Sequence, residues 1–167
     1  MRIALDAKRA YNNYRGLGQY SRQLIAGLHE IENAPDLDLI TTGKGAILPD
    51  FNESNLRTIR SSWPFFQSLW RSRKAGNVAL NNGAQIYHGL SNEIPLIPSG
   101  LRSVVTIHDV IFLQQPHLYP IIDRNIYKAK VKSALKRADV VVTTSDQTTA
   151  DIKQFFPEIK ANYKTVY

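Results

Sequence analysis

The sequence predicts an α/β protein: a doubly wound, mainly parallel sheet with helices on both faces. Three observations carry that expectation. Short runs at 3–5, 104–107 and 140–142 lack polar alternation, and the latter two are β-branched throughout, which is the pattern of strands covered on both sides. Between them lie longer segments whose apolar residues recur every three or four positions, as helices require. Strands alternating with helices in this way build a parallel sheet.

In chain order, Ile3, Ala4 and Leu5 form the first strand, and the polar, turn-rich residues Asn12 to Gly16 follow as a loop. Leu17, Tyr20, Leu24, Leu28 and Ile31 then make one helical stripe. Residues 38–41 read as a second strand ended by Gly43, 43–55 as a loop, and 56–60 as a weaker strand. Pro64 sits where a helix can begin, since its missing N–H costs nothing in a first turn. Phe65, Phe66, Leu69, Trp70 and Val78 are expected to fill one face of that helix.

The second half has sharper boundaries. Residues 85–88 form a strand that runs into Gly89-Leu90-Ser91-Asn92, and 103–108 form another. A loop containing Pro116 and Pro120 leads to a helix whose apolar face is Tyr127, Val131, Ala134, Leu135 and Ala138. Residues 139–144 are a third strong strand. Ser145 caps a helix running to about Phe155 and closed by Pro157, and 163–167 begin one more strand.

Composition bounds the function. With 167 residues, 43% hydrophobic and 21% charged, the chain is one globular domain's worth and not a disordered segment. It has no apolar run near 18 residues, so no membrane span is expected. The acid at Asp6 interrupts the first apolar stretch, which reads as a strand and not a signal peptide. The absence of cysteine excludes disulfides and thiolate metal sites and fits a cytoplasmic protein. A net charge of +7 asks for anionic partners: phosphorylated ligands, an acidic membrane surface or nucleic acid. No recognised nucleic-acid module is present, so nucleic acid is not expected.

Doubly wound sheets bind ligands at the carboxyl ends of their strands, beside the point where strand order reverses. The residues that fall there are the loop after Leu5, His88 with Ser91 and Asn92, His108 with Asp109, and Ser145. Gly16-Leu17-Gly18 opens a helix, where free N–H groups and the helix dipole favour a phosphate. It is a poor dinucleotide fingerprint: Ser21 stands at the third glycine position, Thr41 and Thr42 replace the acid closing the second strand, and no Walker-type lysine follows. His88 and His108 can donate to a sugar hydroxyl or share charge with a phosphate, or be satisfied by neighbouring backbone. There is no Gly-x-Ser-x-Gly elbow, and His88, His108 and Asp109 lack a diagnostic metal spacing. Arg124, Lys128, Lys132 and Lys136 make an i, i+4 cationic stripe that is either a solvated face or a contact for an anionic bilayer. Around Trp70-Arg71-Ser72-Arg73-Lys74, a core-facing tryptophan beside solvated cations is expected.

Four segments resemble glycosyltransferase family 4. Gly16-Leu17-Gly18-Gln19-Tyr20-Ser21 is similar to the Gly-Ile/Val-Gly-Arg-Tyr-Thr segment near the start of many members. Ile86-Tyr87-His88-Gly89, followed by Ile94-Pro95-Leu96, resembles the family's Tyr-His strand and its Leu-Pro continuation. Val104 to Val110 is similar to its Val-Val-Thr-Ile-His-Asp-Leu strand, and Arg137 to Ser145 to its Arg-Ala-Asp segment. The resemblance runs nearly the length of the chain, in order.

The resemblance implies one half of a two-domain GT-B fold, a single Rossmann-like, acceptor-side domain over 1–167, with the C-terminal nucleotide-sugar domain absent. It implies a retaining, metal-independent hexosyltransferase with no cofactor beyond its nucleotide-sugar donor, and a glycan or glycolipid acceptor. By matching position, Gly16, Leu17 and Gly18 would meet the donor diphosphate and sugar, and His108 would be the catalytic residue that steadies charge as the glycosidic bond loosens. His88, Asn92, Asp109 and Ser145 would line the acceptor side. Nothing in the chain matches the second domain's paired glutamates, so the chain is expected to be a shortened piece, inactive without its missing half. Cytoplasmic placement with peripheral contact at the inner membrane face is the accompanying expectation. The alternatives are a non-catalytic carbohydrate- or nucleotide-binding module and a nicotinamide-dependent oxidoreductase or epimerase.

Overall fold

The computed structural model describes residues 1–167 except Lys44, Ala46, Ser62 and Pro64. Its elements in chain order are β1 (Arg2–Asp6), α1 (Lys8–Asn12), α2 (Gly16–Glu30), β2 (Asp36–Thr41), β3 (Leu56–Arg60), α3 (Gln67–Arg73), α4 (Ala75–Asn81), β4 (Ile86–Gly89) and β5 (Arg102–Ile107). They continue with α5 (Ile111–Gln114), a 3-10 turn (Pro116–Leu118), α6 (Ile121–Arg137), β6 (Val140–Thr143), α7 (Asp146–Phe155) and β7 (Tyr163–Thr165). The strands form one seven-stranded sheet in the order β3-β2-β1-β4-β5-β6-β7. Every pairing is parallel. This is the expected Rossmann-like, doubly wound α/β fold.

Alternation along the strands sends side chains to the two faces of the sheet, where they build three clusters. On one face, Leu5, Leu37 and Leu39 pack with Ala10 and Tyr11 of α1 and Ile25 of α2. On the other, Ala4, Ile40 and Tyr87 meet Trp70, Ala75 and Ala79 of α3 and α4. Val105, Ile107 and Val141 meet Val131, Leu135 and Ile152 of α6 and α7. These clusters are the main driving force for the fold, at roughly 25 cal/mol for each Å² of apolar surface removed from water. At the amino ends of the strands, Asp38 is fully buried and accepts from Arg2 at 3.0 Å and from Arg57 at 2.9 and 3.0 Å. A carboxylate so deep is tolerated because both guanidinium groups converge on it.

Several expectations are corrected. Residues 13–15 are a loop as expected, but α1 precedes it over Lys8–Asn12, and five residues are too few to show a helical period. Ile31 lies outside α2 as its C-cap and is 52% exposed; the fully buried line of that helix is Gly18, Ser21 and Ile25. The helix placed after Pro64 is two short helices beginning at Gln67, and Pro64 itself lies outside the described residues. Phe65 and Phe66 do not fill its face; both are 75% exposed, and Phe66 has a left-handed φ of 59°. Trp70 is buried as expected, but Arg71 is not a solvated cation: it is 6% exposed.

Candidate functional site

Strand order reverses between β1 and β4. The chain leaves β1 toward β2 and β3, and returns to β4 before moving on to β5, β6 and β7. The carboxyl ends of β1, β4 and β5 therefore border the crevice where such sheets hold ligands. Asp6, Gly89 and Ile107 are the last residues of those strands.

The two histidines are brought together there. His88 Nε2 lies 2.9 Å from Thr106 Oγ1, and Tyr20 Oη lies 3.1 Å from the same atom. His108 Nε2 is 2.9 Å from the Leu90 carbonyl. A carbonyl can only accept, so Nε2 carries the proton in the neutral ring and Nδ1 is left as an acceptor. Burial, and then the neighbouring His108, push the His88 pKa down to about 4. Burial also lowers the pKa of His108, against the opposing pull of the Leu90 carbonyl and Asp109. At neutral pH both rings are therefore uncharged, suited to exchanging hydrogen bonds with a polar ligand.

The remaining polar residues frame this pair. Asn92 adopts a left-handed φ of 62°, and its Oδ1 accepts from the His108 N–H at 2.9 Å. Asn92 thus fixes the backbone of the residue beside Asp109. Asp109 is exposed, and its Oδ1 accepts from the Ile111 N–H at 3.2 Å, turning the chain into α5. Ser145 caps α7 through Oγ, which accepts from the Thr148 N–H at 3.1 Å. Thr144 and Thr148 both donate to the His108 carbonyl, at 3.1 and 3.0 Å. The cap of α7 is thereby tied to the end of β5.

The two glycines of the helix entry differ. A Cβ at Gly16 would meet nothing within 4 Å, whereas one at Gly18 would lie 1.7 Å from the Asn13 carbonyl oxygen. The Gly18 N–H already donates to the Arg15 carbonyl at 2.9 Å. Gly18 is therefore required by the close packing of α2 on the end of α1, while Gly16 faces open space.

A cleft of about 250 Å³ lies alongside, lined by Arg9, Leu17, Ser91, Asn92, Glu93, Asp109, Phe112, Tyr119, Tyr127, Lys130 and Val131. Leu17, Ser91, Asn92 and Asp109 of the predicted site are in its wall; Gly16, Gly18, His88, His108 and Ser145 are not. Phe112, Tyr119 and Tyr127 form a mutual edge-to-face trio, with centroids 5.9 to 6.5 Å apart. Beneath the cleft, the buried Arg71 binds Asp6 at 3.0 Å and also pairs with Glu93, which Lys130 meets at 3.0 Å. Burial would raise the Glu93 pKa, but Arg71 and Lys130 together hold it below the usual carboxylate value. Burial, followed by the charges of Arg71 and Arg9, lowers the pKa of Lys8. The cleft floor is thus a connected ion network under an aromatic wall. No group of three or more His, Cys, Asp or Glu side chains able to hold a metal occurs among the described residues.

The sequence did not single out Arg9, Glu93, Phe112, Tyr127 or Lys130 for this cleft. Arg9, Glu93 and Phe112 follow closely on the ends of β1, β4 and β5, whereas Tyr127 and Lys130 lie in the middle of α6.

No protein-family model matches the chain, and no curated protein matches it by sequence. Solved structures do match. Over 99% of its length the chain superposes on sucrose-phosphate synthase from Thermosynechococcus elongatus, with a TM-score of 0.63 at 16% identity, spanning 47% of that chain. A second structure of the same enzyme matches over 99% of this chain and 87% of its own, with a TM-score of 0.55 at 19% identity. The chain thus spans about half the length of the first of these. At such identities the likeness establishes the fold alone, a Rossmann-like α/β domain.

Proposed function

We propose that residues 1–167 are the acceptor-side domain of a retaining glycosyltransferase that moves a hexose from a nucleotide sugar to a glycan or glycolipid. The observation that carries this reading is the His108 arrangement at the switch point, a neutral ring whose Nε2 is held by Leu90 and whose Nδ1 is left to accept. The fold likeness to sucrose-phosphate synthase supports it. In this reading the transferred sugar lies against His108, and the open N–H groups at Gly16 and Leu17 face the donor diphosphate. His88, Asn92, Asp109 and Ser145 serve the acceptor side, and the aromatic trio offers apolar walls to sugar rings.

The proposed chemistry is front-face displacement without a metal ion. The acceptor hydroxyl attacks the anomeric carbon on the face from which the diphosphate leaves, and its proton passes to that diphosphate. Fixed donors and cations stabilise the charge that develops. A second domain in the same polypeptide would hold the nucleotide, so this domain alone is proposed to be inactive, and cytoplasmic placement belongs to the same reading.

A non-catalytic sugar-binding module is the second reading, favoured by a cleft complete within this domain. Calorimetric titration with nucleotide sugars, nicotinamide dinucleotides and oligosaccharides separates the readings. Binding of a nucleotide sugar that His108→Ala weakens about tenfold or more supports the transferase domain. Tight dinucleotide binding, or oligosaccharide binding indifferent to His108, contradicts it.

A further inference from the structure

Helix α6 has two apolar faces. Val131, Ala134 and Leu135 are buried against the sheet. Outward, Ile122 and Ile126 are 73% and 46% exposed, and Ala129 and Ser133 continue the same line, also exposed. Spacings of four, three and four put these residues on one strip. Ile121 and Leu118, 66% and 63% exposed, add apolar surface near the start of the helix. Val131, Ala134 and Leu135 already anchor the helix, so the exposed isoleucines are not needed for that; Ala129 and Ser133 also line a cavity of about 490 Å³ with Ser72, Arg73 and Leu96.

Basic residues border it on both sides. Lys128, Lys132 and Lys136 run along one edge, and Lys130 and Arg137 along the other, where the Arg137 guanidinium donates to the Ile94 and Pro95 carbonyls. Lys132 pairs with Glu158 at 2.8 Å and Lys130 with Glu93 at 3.0 Å, while Lys128 and Lys136 have no carboxylate partner among the described residues. The one acid in α6 is Asp123.

We propose that this outward face docks on an anionic lipid bilayer. An apolar strip edged by lysines suits a planar surface that is apolar below and negatively charged at one depth. The isoleucines enter the acyl boundary while the lysine stems lie along it and their ammonium groups reach lipid phosphates. Tyr127, Lys130 and Val131 of the same helix line the cleft, so docking brings lipid headgroups to its mouth. A lipid-linked glycan is then the acceptor class, an inference that rests on the acceptor-domain reading above; the docking itself does not.

The test is flotation of the 167-residue chain with vesicles of phosphatidylcholine alone or with about one-third phosphatidylglycerol. Binding is expected with the anionic vesicles only, weakening as salt rises. Paired Ile122→Ser and Ile126→Ser substitutions should lower the partition constant roughly tenfold or more, with an unchanged thermal melt because both sites are exposed. Lys128→Glu with Lys136→Glu should abolish the preference for anionic lipid. Absence of binding to anionic vesicles overturns the proposal, as does binding that ignores these substitutions. A concentration-dependent dimer lost in the isoleucine variant also overturns it, because a second copy would then be the occupant. The assay contains no sugar ligand, so a negative result leaves the transferase reading intact, while a failed sugar titration with retained vesicle binding counts against that reading alone.

Discussion

Tyr20 stands edge-on to His108, with ring centroids 4.6 Å apart and planes at 88°. Its hydroxyl reaches the Thr106 Oγ1 that His88 also meets. One side chain of α2 therefore fixes the surroundings of both histidines at the ends of β4 and β5. The same contacts keep water away from the rings, and that loss of hydration holds both in their neutral forms.

The low pKa of His88 has a consequence for stability. The unfolded chain takes up a proton near the ordinary value of 6.5, whereas the folded ring resists it down to about 4. Between those values the unfolded state binds more protons, so stability falls as pH falls, and the loss is complete below about 4. The full effect is about 3 kcal/mol. Chemical denaturation from pH 7 to 4 should show this slope, and His88→Gln should flatten it. An identical slope in the variant would contradict the assignment.

Gly16 and Gly18 should separate in mutagenesis. Gly18→Ala forces a Cβ into the Asn13 carbonyl and should cost about 2 kcal/mol or more, read as a lower melting temperature. Gly16→Ala meets open space and should leave the melt unchanged or slightly raised. Any loss of nucleotide-sugar binding in Gly16→Ala is then a direct effect on the ligand.

Arg71 should be the most sensitive charge in the molecule. Arg71→Ala strands the buried Asp6 and removes a partner of Glu93, at a cost of about 3–5 kcal/mol in urea denaturation. Combining Arg71→Met with Asp6→Leu should recover part of that loss, because no uncompensated charge then remains. Additive losses in the double variant would show that packing, and not charge pairing, sets the effect.

Strands β5 and β6 were legible because β-branched runs without polar alternation have few other uses, and the α7 cap because Ser145 sits directly after its strand. α1 was not legible, since five residues carry no period. Nor could the sequence tell which aromatics around α3 reach the core: Trp70 does and Phe66 does not. Arg71 read as one more cation in a basic run, because its partner Asp6 lies 65 residues away. Strand-end logic put His88, Asn92 and His108 at the carboxyl ends of β4 and β5, and they lie there. The link from Tyr20 to Thr106, 86 residues apart, is set by how α2 crosses the sheet and leaves no local trace.

The most direct test of the glycosyltransferase reading is an NMR titration of the isotope-labelled chain with nucleotide sugars. Amide shifts should gather at Gly16 and Leu17, Ser91 and Asn92, and His108 and Asp109, with the His108 ring responding to the sugar and not to the free nucleotide alone. Shifts confined to other surfaces, or no response to any sugar-bearing ligand, would contradict it.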